Sequence, residues 1–214
     1  RMLYIWGTEA SPKDGAGNRN RGSMSAEVVK ECFYTLREPE AVAAYVRASH
    51  PVSLPEKRLF KEYECCYTDA GYWKIFDFDF VEGAPFTEAD FLSAIPRVVI
   101  SKRMATNLFG GEQAVGRQVV LDFVTYTVCG VTRDVPNPLM VSFFDVCIPY
   151  SCSDYLMTPN PDYGENMVGD FSMILLARST SDFETVRAEL DQQVKRYSES
   201  KVDYNVNFPA GALS

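Results

Sequence analysis

The strongest constraint on the fold lies near the end of the chain, where three segments of different periodicity follow one another. "FSMILLAR" (171–178) is a near-continuous apolar run of strand length, typical of a fully buried strand. The next segment (180–200) has an apolar stripe at helical spacing and places Ser181 and Glu184 as a capping box. "VDYNVNF" (202–208) then alternates apolar and polar residues, as a half-buried strand does. Together they predict a β-α-β unit.

The beginning of the chain has a similar outline. "MLYIW" (2–6) is a short apolar strand candidate, and residues 11–23 form a Gly-, Asn- and Ser-rich stretch that predicts a flexible loop. Ser25 is a suitable N-cap for a helix that ends before Pro39. The segment 41–48 then predicts a strand, with a helix as the alternative. Strand, loop, helix and strand thus repeat the order of the terminal unit.

The middle of the chain is rich in strand patterns and contains one short helix candidate. The helix is predicted over 102–109, with Ser101 as its N-cap and Gly110 as its stop. An aromatic row of Phe76, Phe78 and Phe80 predicts one buried face of a strand. Further strands are predicted at 58–67, 96–101, 117–123, 126–133 and 143–150.

These patterns predict the α+β class. A split α/β subdomain is expected from both chain ends, residues 1–68 with 168–214, and contains the β-α-β units. A β-rich subdomain, residues 69–167 with one short helix, is expected to be inserted between its two parts. No apolar run reaches membrane-spanning length, and the chain has no signal peptide and no initiator Met. We therefore expect a soluble piece of a longer protein.

The charge of the chain limits its partners. A formal net charge of -8 argues against nucleic acid, whose binding depends on Lys and Arg neutralising phosphates. The same charge argues against a polybasic membrane-surface patch. Protein, peptide or small-molecule partners are expected.

The stretch "GGEQAVGRQ" tests whether the chain holds a nucleotide. Gly111 and Gly116 fit a phosphate loop, but Arg117 and Gln118 replace its Lys and its Ser or Thr. The predicted helix precedes these glycines and a strand follows them, whereas a phosphate loop requires the reverse order. The stretch therefore predicts a helix stop followed by a turn.

Other chemistries find little support. His50 is the only histidine and has no nucleophile signature beside it, while the 29 acidic residues leave a carboxylate pair open without marking one. Asp162, Glu165 and Asn166 could bind calcium, but they lack the EF-hand order. The six cysteines form no CxxC motif. We predict no catalytic residue, no cofactor and no metal ligand.

The cysteines leave two alternatives. Cys65 and Cys66 are adjacent in a predicted strand, so their side chains point to opposite faces and cannot readily pair with each other. Buried free thiols are the favoured interpretation. One or two disulfides are the alternative if the compartment is oxidising.

Several short motifs follow one another in a fixed order in the middle of the chain. They are Phe76–Gly83, Val99–Ser101, Leu108–Gly110, Gly116 with Arg117, and Tyr126–Pro136. In this order they resemble the extracytoplasmic core domain of MacB-like ABC transporter permeases, in the wider FtsX-like permease group. The match is close over residues 73–136 and looser over the terminal β-α-β segment.

The resemblance implies a non-catalytic domain on the periplasmic face of a Gram-negative inner membrane, between the first and second transmembrane helices of a permease. It implies a split fold, with an α/β porter-like part built from both ends. The implied partners are the membrane-embedded remainder of the permease and a cytoplasmic ABC ATPase, with a periplasmic adaptor or a permease dimer as further options. The leading hypothesis is coupling of ATP-driven motion to a periplasmic partner or cargo. The alternatives are a ligand-sensing ectodomain for antimicrobial peptides and, third, an enzyme.

Overall fold

The structure, a computed structural model, describes residues 1–57, 60–135, 141–158 and 166–213. It has the expected mixed α+β class. Contacts divide it into two compact units, residues 1–45 with 154–214 and residues 46–153. The domain limits inferred from the sequence are 68 and 168. The contacts instead place residues 46–68 in the second unit and residues 154–158 in the first. The porter-like character of the two-ended part remains a prediction.

The strands are numbered along the described part of the chain. They are β1 (Met2–Ile5), β2 (Thr8–Pro12), β3 (Asn20–Met24), β4 (Ala41–Ser53), β5 (Lys61–Thr68), β6 (Phe80–Gly83), β7 (Arg97–Ser101), β8 (Gln118–Leu121), β9 (Val124–Thr132), β10 (Val146–Pro149), β11 (Val168–Gly169), β12 (Ser172–Leu176), β13 (Tyr204–Asn207) and β14 (Ala210–Leu213). The α-helices are α1 (Ala26–Val28), α2 (Tyr72–Ile75), α3 (Glu88–Leu92), α4 (Lys102–Phe109), α5 (Asp154–Met157) and α6 (Phe183–Ser200).

The first unit contains two antiparallel sheets. One has the order β14-β1-β12-β4, and the central pair β1 and β12 places Leu3 opposite Leu175. The other has the order β11-β3-β2-β13. Within residues 11–23, predicted as a loop, residues 13–19 do connect β2 and β3, while the residues on either side belong to these two strands. The prediction missed the strand residues because the flanking strands β13 and β11 supply backbone partners that the polar composition does not reveal.

Helix α6 covers this unit with a buried stripe that includes Val186 and Leu190. Its N-cap is Asp182, without a side-chain capping bond, so the predicted capping box is wrong. The Ser179 hydroxyl donates to the Asp182 carboxylate at 2.7 Å and shares a hydrogen bond with the Ser181 hydroxyl, which keeps both side chains away from the helix amides. Strands β12 and β13 lie in different sheets, so α6 does not connect parallel neighbours.

The first helix confirms its predicted start. The Ser25 hydroxyl accepts a hydrogen bond from the Val28 amide at 3.2 Å, and α1 continues as a π-helix over Val29–Phe33. The ring of Phe33 packs against that of Phe208, 5.3 Å between centroids. These contacts form part of the core of the first unit.

Five strands of the second unit, together with the part of β4 from Val46 onward, form a closed barrel of six strands. The pairing runs β4-β5-β10-β7-β9-β8, and β8 returns to β4 with Val52 opposite Leu121. Strands β5 and β10 are parallel, as are β7 and β9, and the other pairs that define register are antiparallel. Because the barrel is closed, each of these six strands has a hydrogen-bonded neighbour on both sides. The remaining strand, β6, pairs with the second half of β9.

The aromatic segment differs from its prediction. The Asp69 carboxylate accepts the Gly71 amide at 2.8 Å and starts the short helix α2, so residues 72–75 are not part of a strand. Phe76 and Phe78 pack around Tyr72, with ring centroids 4.9 and 5.6 Å away. The region predicted to hold one short helix also contains α2, α3 and α5 in addition to α4. Asp69 accepts the amide of Gly71, the N-cap residue of α2, and Thr87 forms a capping box with Asp90 at α3.

Candidate interaction surface

The start of α4 is held by a buried carboxylate. Ser101 caps the helix by accepting the Met104 amide at 3.1 Å, and its hydroxyl donates to Asp145 at 3.3 Å. Arg103 donates to the same carboxylate from Nε at 3.2 Å and from a terminal nitrogen at 2.6 Å. The Glu64 amide donates to the second oxygen at 3.2 Å. A Ser, an Arg and an Asp thus converge here.

This convergence is structural in its geometry. The side chain of Asp145 is only 6% exposed, while that of Arg103 is 53% exposed. The hydrogen bond from Arg103 to Asp145 raises the pKa of the guanidinium further above its usual value. The Ser101 hydroxyl donates to a carboxylate and accepts from an amide, so it is committed to capping. The group ties α4, β5 and β10 together.

The glycine stretch is confirmed as a helix stop and a turn. Gly110 ends α4 with φ 67°, and Gly116 has φ 88°, both in the left-handed region that favours glycine. The amides of Ala114 and Val115 donate to the carboxylate of Glu82 at 2.9 and 3.3 Å. Amides that a phosphate loop would offer to a nucleotide are therefore bound to a side chain of this chain.

The β8–β9 turn is built differently from the glycine turn. Asp122 and Phe123 occupy its two central positions with φ of 47° and 63°, although neither is glycine. The carboxylate of Asp122 accepts the Tyr67 hydroxyl at 3.2 Å and lies 3.3 Å from Nδ1 of His50. His50 meets the Tyr67 ring edge-on at 5.9 Å. The only histidine of the chain therefore helps to fix a strained turn.

Fixing this turn exposes apolar side chains. Phe123 is fully exposed, and Val124 follows it at the start of β9. Leu92, the last residue of α3, is 74% exposed, and Ile95, which precedes β7, is 39% exposed. Strand β7 starts parallel to β9, and just before it the Pro96 carbonyl accepts the Thr127 amide at 2.9 Å. We call Leu92, Ile95, Phe123 and Val124 the apolar end of the barrel. Exposed aromatic and aliphatic side chains on a fixed support are typical of protein contact sites.

The thiols are placed unlike those of a catalytic cysteine. Cys32 is buried, and burial raises its pKa to about 12, with Glu31 adding to the effect. Burial also raises the pKa of Cys129 to about 11. A nucleophilic cysteine has a lowered pKa and access to solvent. These two thiols have the opposite character.

The described residues contain neither a metal-binding cluster nor a membrane-spanning helix. Among residues 1–57, 60–135, 141–158 and 166–213, no group of three His, Cys, Asp or Glu side chains is placed to bind a metal ion. Within those ranges no helix is long and apolar enough to span a membrane. Asp162 and Glu165, two of the weak calcium candidates, lie outside the described residues. The absence of catalytic, cofactor and metal sites stays a prediction.

The sequence analysis did not predict the apolar end, because the alternation of residues places Phe123 and Val124 among ordinary strand residues.

Comparison with known proteins identifies a family and a curated relative. Residues 1–193 match the family of MacB-like periplasmic core domains. The pyoverdine export ATP-binding/permease protein PvdT of Pseudomonas aeruginosa is 26% identical over 144 residues, which is 65% of this chain and 20% of PvdT. The chain therefore spans about a fifth of the length of that curated relative.

Two solved structures have a similar fold. The extracellular domain of the ABC-type transporter YknZ from Gram-positive bacteria has a TM-score of 0.64 and 20% identity, over 95% of this chain and 99% of that domain. The periplasmic region of MacB from Actinobacillus actinomycetemcomitans has a TM-score of 0.64 and 16% identity, over 97% of this chain and 87% of that one. At such low identity these likenesses show the fold alone. Because the family match covers most of the chain, the protein belongs to the MacB-like periplasmic core domains, a family of ABC transporter permease domains.

Proposed function

We propose that this chain is the extracytoplasmic domain of an ABC transporter permease and passes ATP-driven motion of the membrane helices to a periplasmic partner or cargo. It catalyses no reaction in this proposal, and ATP is hydrolysed by a separate nucleotide-binding domain or subunit. The observation that carries the proposal is the family match over residues 1–193.

A domain that transmits motion must move as a stiff body. The closed pairing of the six barrel strands supports this, because displacing one strand breaks hydrogen bonds on both of its sides. The buried Asp145 links α4 to two barrel strands through four hydrogen bonds. Such fully satisfied polar networks make a core rigid.

A domain that transmits motion also needs a contact point. The apolar end offers one, because Phe123 is held by a turn whose carboxylate is bound to Tyr67 and His50. A residue on a fixed turn loses less backbone entropy when a partner binds than a residue on a mobile loop. We assign this end as the contact with the periplasmic partner.

The test uses the full-length permease expressed with its ATPase in a strain that lacks both. Replacing Phe123→Ala and Leu92→Ala together should leave ATP hydrolysis in membranes unchanged. Resistance to the exported compounds, measured over a panel of antimicrobial agents, should fall by about tenfold, the loss expected for a truncated contact hot spot.

The matched control is Tyr155→Ala, an exposed aromatic of the first unit, which should change neither ATP hydrolysis nor resistance. Unchanged resistance in the double variant would remove the apolar end from the mechanism. Recovery of the native protein from the cytosol, without membrane subunits, would remove the coupling proposal altogether.

The net charge supports a second candidate. At a formal charge of -8 the domain would attract cationic antimicrobial peptides, and the permease would then act as a sensor for them. Binding of such a peptide to the purified chain should weaken steeply with added salt. If the double variant Phe123→Ala, Leu92→Ala still binds the peptide while resistance is lost, coupling and sensing use different surfaces.

A further inference from the structure

Two of the six cysteines face each other across neighbouring strands. In the parallel pair of β5 and β10, Cys147 lies directly opposite Cys66. Neighbouring strands are about 4.8 Å apart, which falls inside the Cα–Cα range of roughly 4.4–6.8 Å found for disulfides. Directly opposed residues also point to the same face of the sheet. The two thiols are close enough to share a hydrogen bond.

The other four cysteines have different neighbours. Cys65 points to the opposite face from Cys66, and its sulfur donates to the Tyr63 carbonyl. Cys129 and Cys152 lie against the carbonyls of Val98 and Ile95. Cys32 lies in the first unit, in the π-helix that follows α1. Only the pair Cys66 and Cys147 is opposed in the register of the described strands.

We propose that Cys66 and Cys147 form an intramolecular disulfide when the chain folds in the presence of a disulfide-donating oxidant. The thiolate of one cysteine attacks the donor disulfide, forms a mixed disulfide and releases one donor thiolate. The thiolate of the second cysteine attacks the protein sulfur of that mixed disulfide and releases the other donor thiolate. The two protons lost by the protein thiols end on the donor, which is reduced to two thiols, and the structure contains the reduced form of the pair.

The bond is structural and forms before the barrel is complete. Both side chains are buried, Cys147 fully, so a donor cannot reach them once the six strands have closed. Burial also raises the pKa of Cys147 well above its usual value, and its hydrogen bond with the reduced Cys66 adds to this, so the native thiol is a poor nucleophile. The same burial protects the finished disulfide from reduction in the folded protein.

An oxidising compartment is supplied by the extracytoplasmic location, and in this respect the inference rests on the proposed function. The pairing itself is tested on the purified chain, so that the two can fail separately. The chain is unfolded and reduced, then refolded with a mixture of reduced and oxidised glutathione or with a reductant alone. Thiols are counted by alkylation after denaturation, and linked peptides are mapped without reduction.

Refolding with glutathione should give two fewer alkylatable thiols than refolding with reductant, and the linked peptide should join Cys66 to Cys147. The oxidised chain should melt higher than the reduced chain by about 5–10 °C. The variant Cys66→Ala, Cys147→Ala should show neither difference. The control Cys65→Ala, next in sequence but facing the opposite side, should still lose two thiols.

A chain that refolds with every thiol free in glutathione, or a linked peptide between other cysteines, overturns the pairing. Peptide mapping of the wild-type chain decides this even if the double variant does not fold. Native protein that is quenched in acid at lysis, alkylated after denaturation and found reduced, although the purified chain forms the bond, instead counts against the extracytoplasmic location.

Discussion

Replacing Arg103→Ala should destabilise the second unit more than replacing its buried partner, Asp145→Asn. The alanine variant leaves a carboxylate that is 6% exposed without its two guanidinium bonds, at 2.6 and 3.2 Å. Breaking a buried ion pair by removing one partner costs about 3–5 kcal/mol. Ser101 and the Glu64 amide still donate to Asp145, which places Arg103→Ala near the lower limit, at about 3 kcal/mol.

The asparagine variant should cost less for two reasons. Its amide oxygen can still accept a hydrogen bond from the Glu64 amide. Arg103 is 53% exposed, so the guanidinium returns to water once its charged partner is gone. The expected loss is about 1–2 kcal/mol, that of one buried hydrogen-bond partner. The double variant Arg103→Ala, Asp145→Asn should therefore be about 1–2 kcal/mol more stable than Arg103→Ala alone, because the stranded charge is absent.

Urea unfolding followed by tryptophan fluorescence checks this in the unit concerned. The chain has two tryptophans, Trp6 in the first unit and Trp73 in the second, so a Trp6→Phe background reports the second unit alone. The control is Arg133→Ala, which removes an exposed ion pair with Asp79 and should leave the urea midpoint unchanged. If Asp145→Asn is as damaging as Arg103→Ala, or the double variant is no better than Arg103→Ala, the buried-charge argument is refuted.

Three further results are expected. The hydrogen bond from the Thr87 amide lowers the pKa of Asp90; burial opposes this, Arg97 adds to it, and the net direction is downward. The charged Asp90 carboxylate therefore stabilises the fold at neutral pH, and this contribution is lost as acid protonates it. Urea midpoints of wild type and Asp90→Asn should converge below about pH 4. Gly116→Val should lower the free energy of unfolding by about 1–2 kcal/mol through its left-handed backbone alone, since nothing lies within 4 Å of an added Cβ. Gly116→Asn should lower it less, and thermal melting of both variants measures the difference. Magnesium ATP should not shift the melting temperature of wild type or of Arg117→Ala, and a shift would overturn the assignment of the glycine stretch to a turn.

Local rules predicted the elements whose ends are fixed by their own residues. The helix 102–109 has the predicted bounds because Ser101 caps it and Gly110 stops it in the left-handed conformation. The strand Arg97–Ser101 lies within the predicted segment 96–101 and starts one residue later, after Pro96. In both cases the decisive contacts join residues that are close in sequence.

Elements fixed by distant partners were predicted poorly. The hairpin of residues 8–24 depends on pairing with strands more than 140 residues away, and a polar composition gave no sign of it. Closure of the barrel depends on Val52 meeting Leu121, which alternation within either strand does not specify. The exposed position of Phe123 follows from the bonds that Asp122 makes with Tyr67 and His50, and these also join different strands. Periodicity reports the faces of an element and not its neighbours.

The same distinction explains why the family was easier to infer than a partner. The motifs that carry the resemblance are occupied with holding the domain together. Ser101 caps a helix, Gly116 forms a turn, and Gly83 has φ 62° with the Cys129 carbonyl where a Cβ would stand. Residues with such duties are constrained by the fold whatever the domain binds. The side chains free to meet a partner, above all Phe123, contribute little to the fold and belong to no motif. Recognition of the family therefore predicts the scaffold, whereas the proposed partner contact at the apolar end rests on the structure.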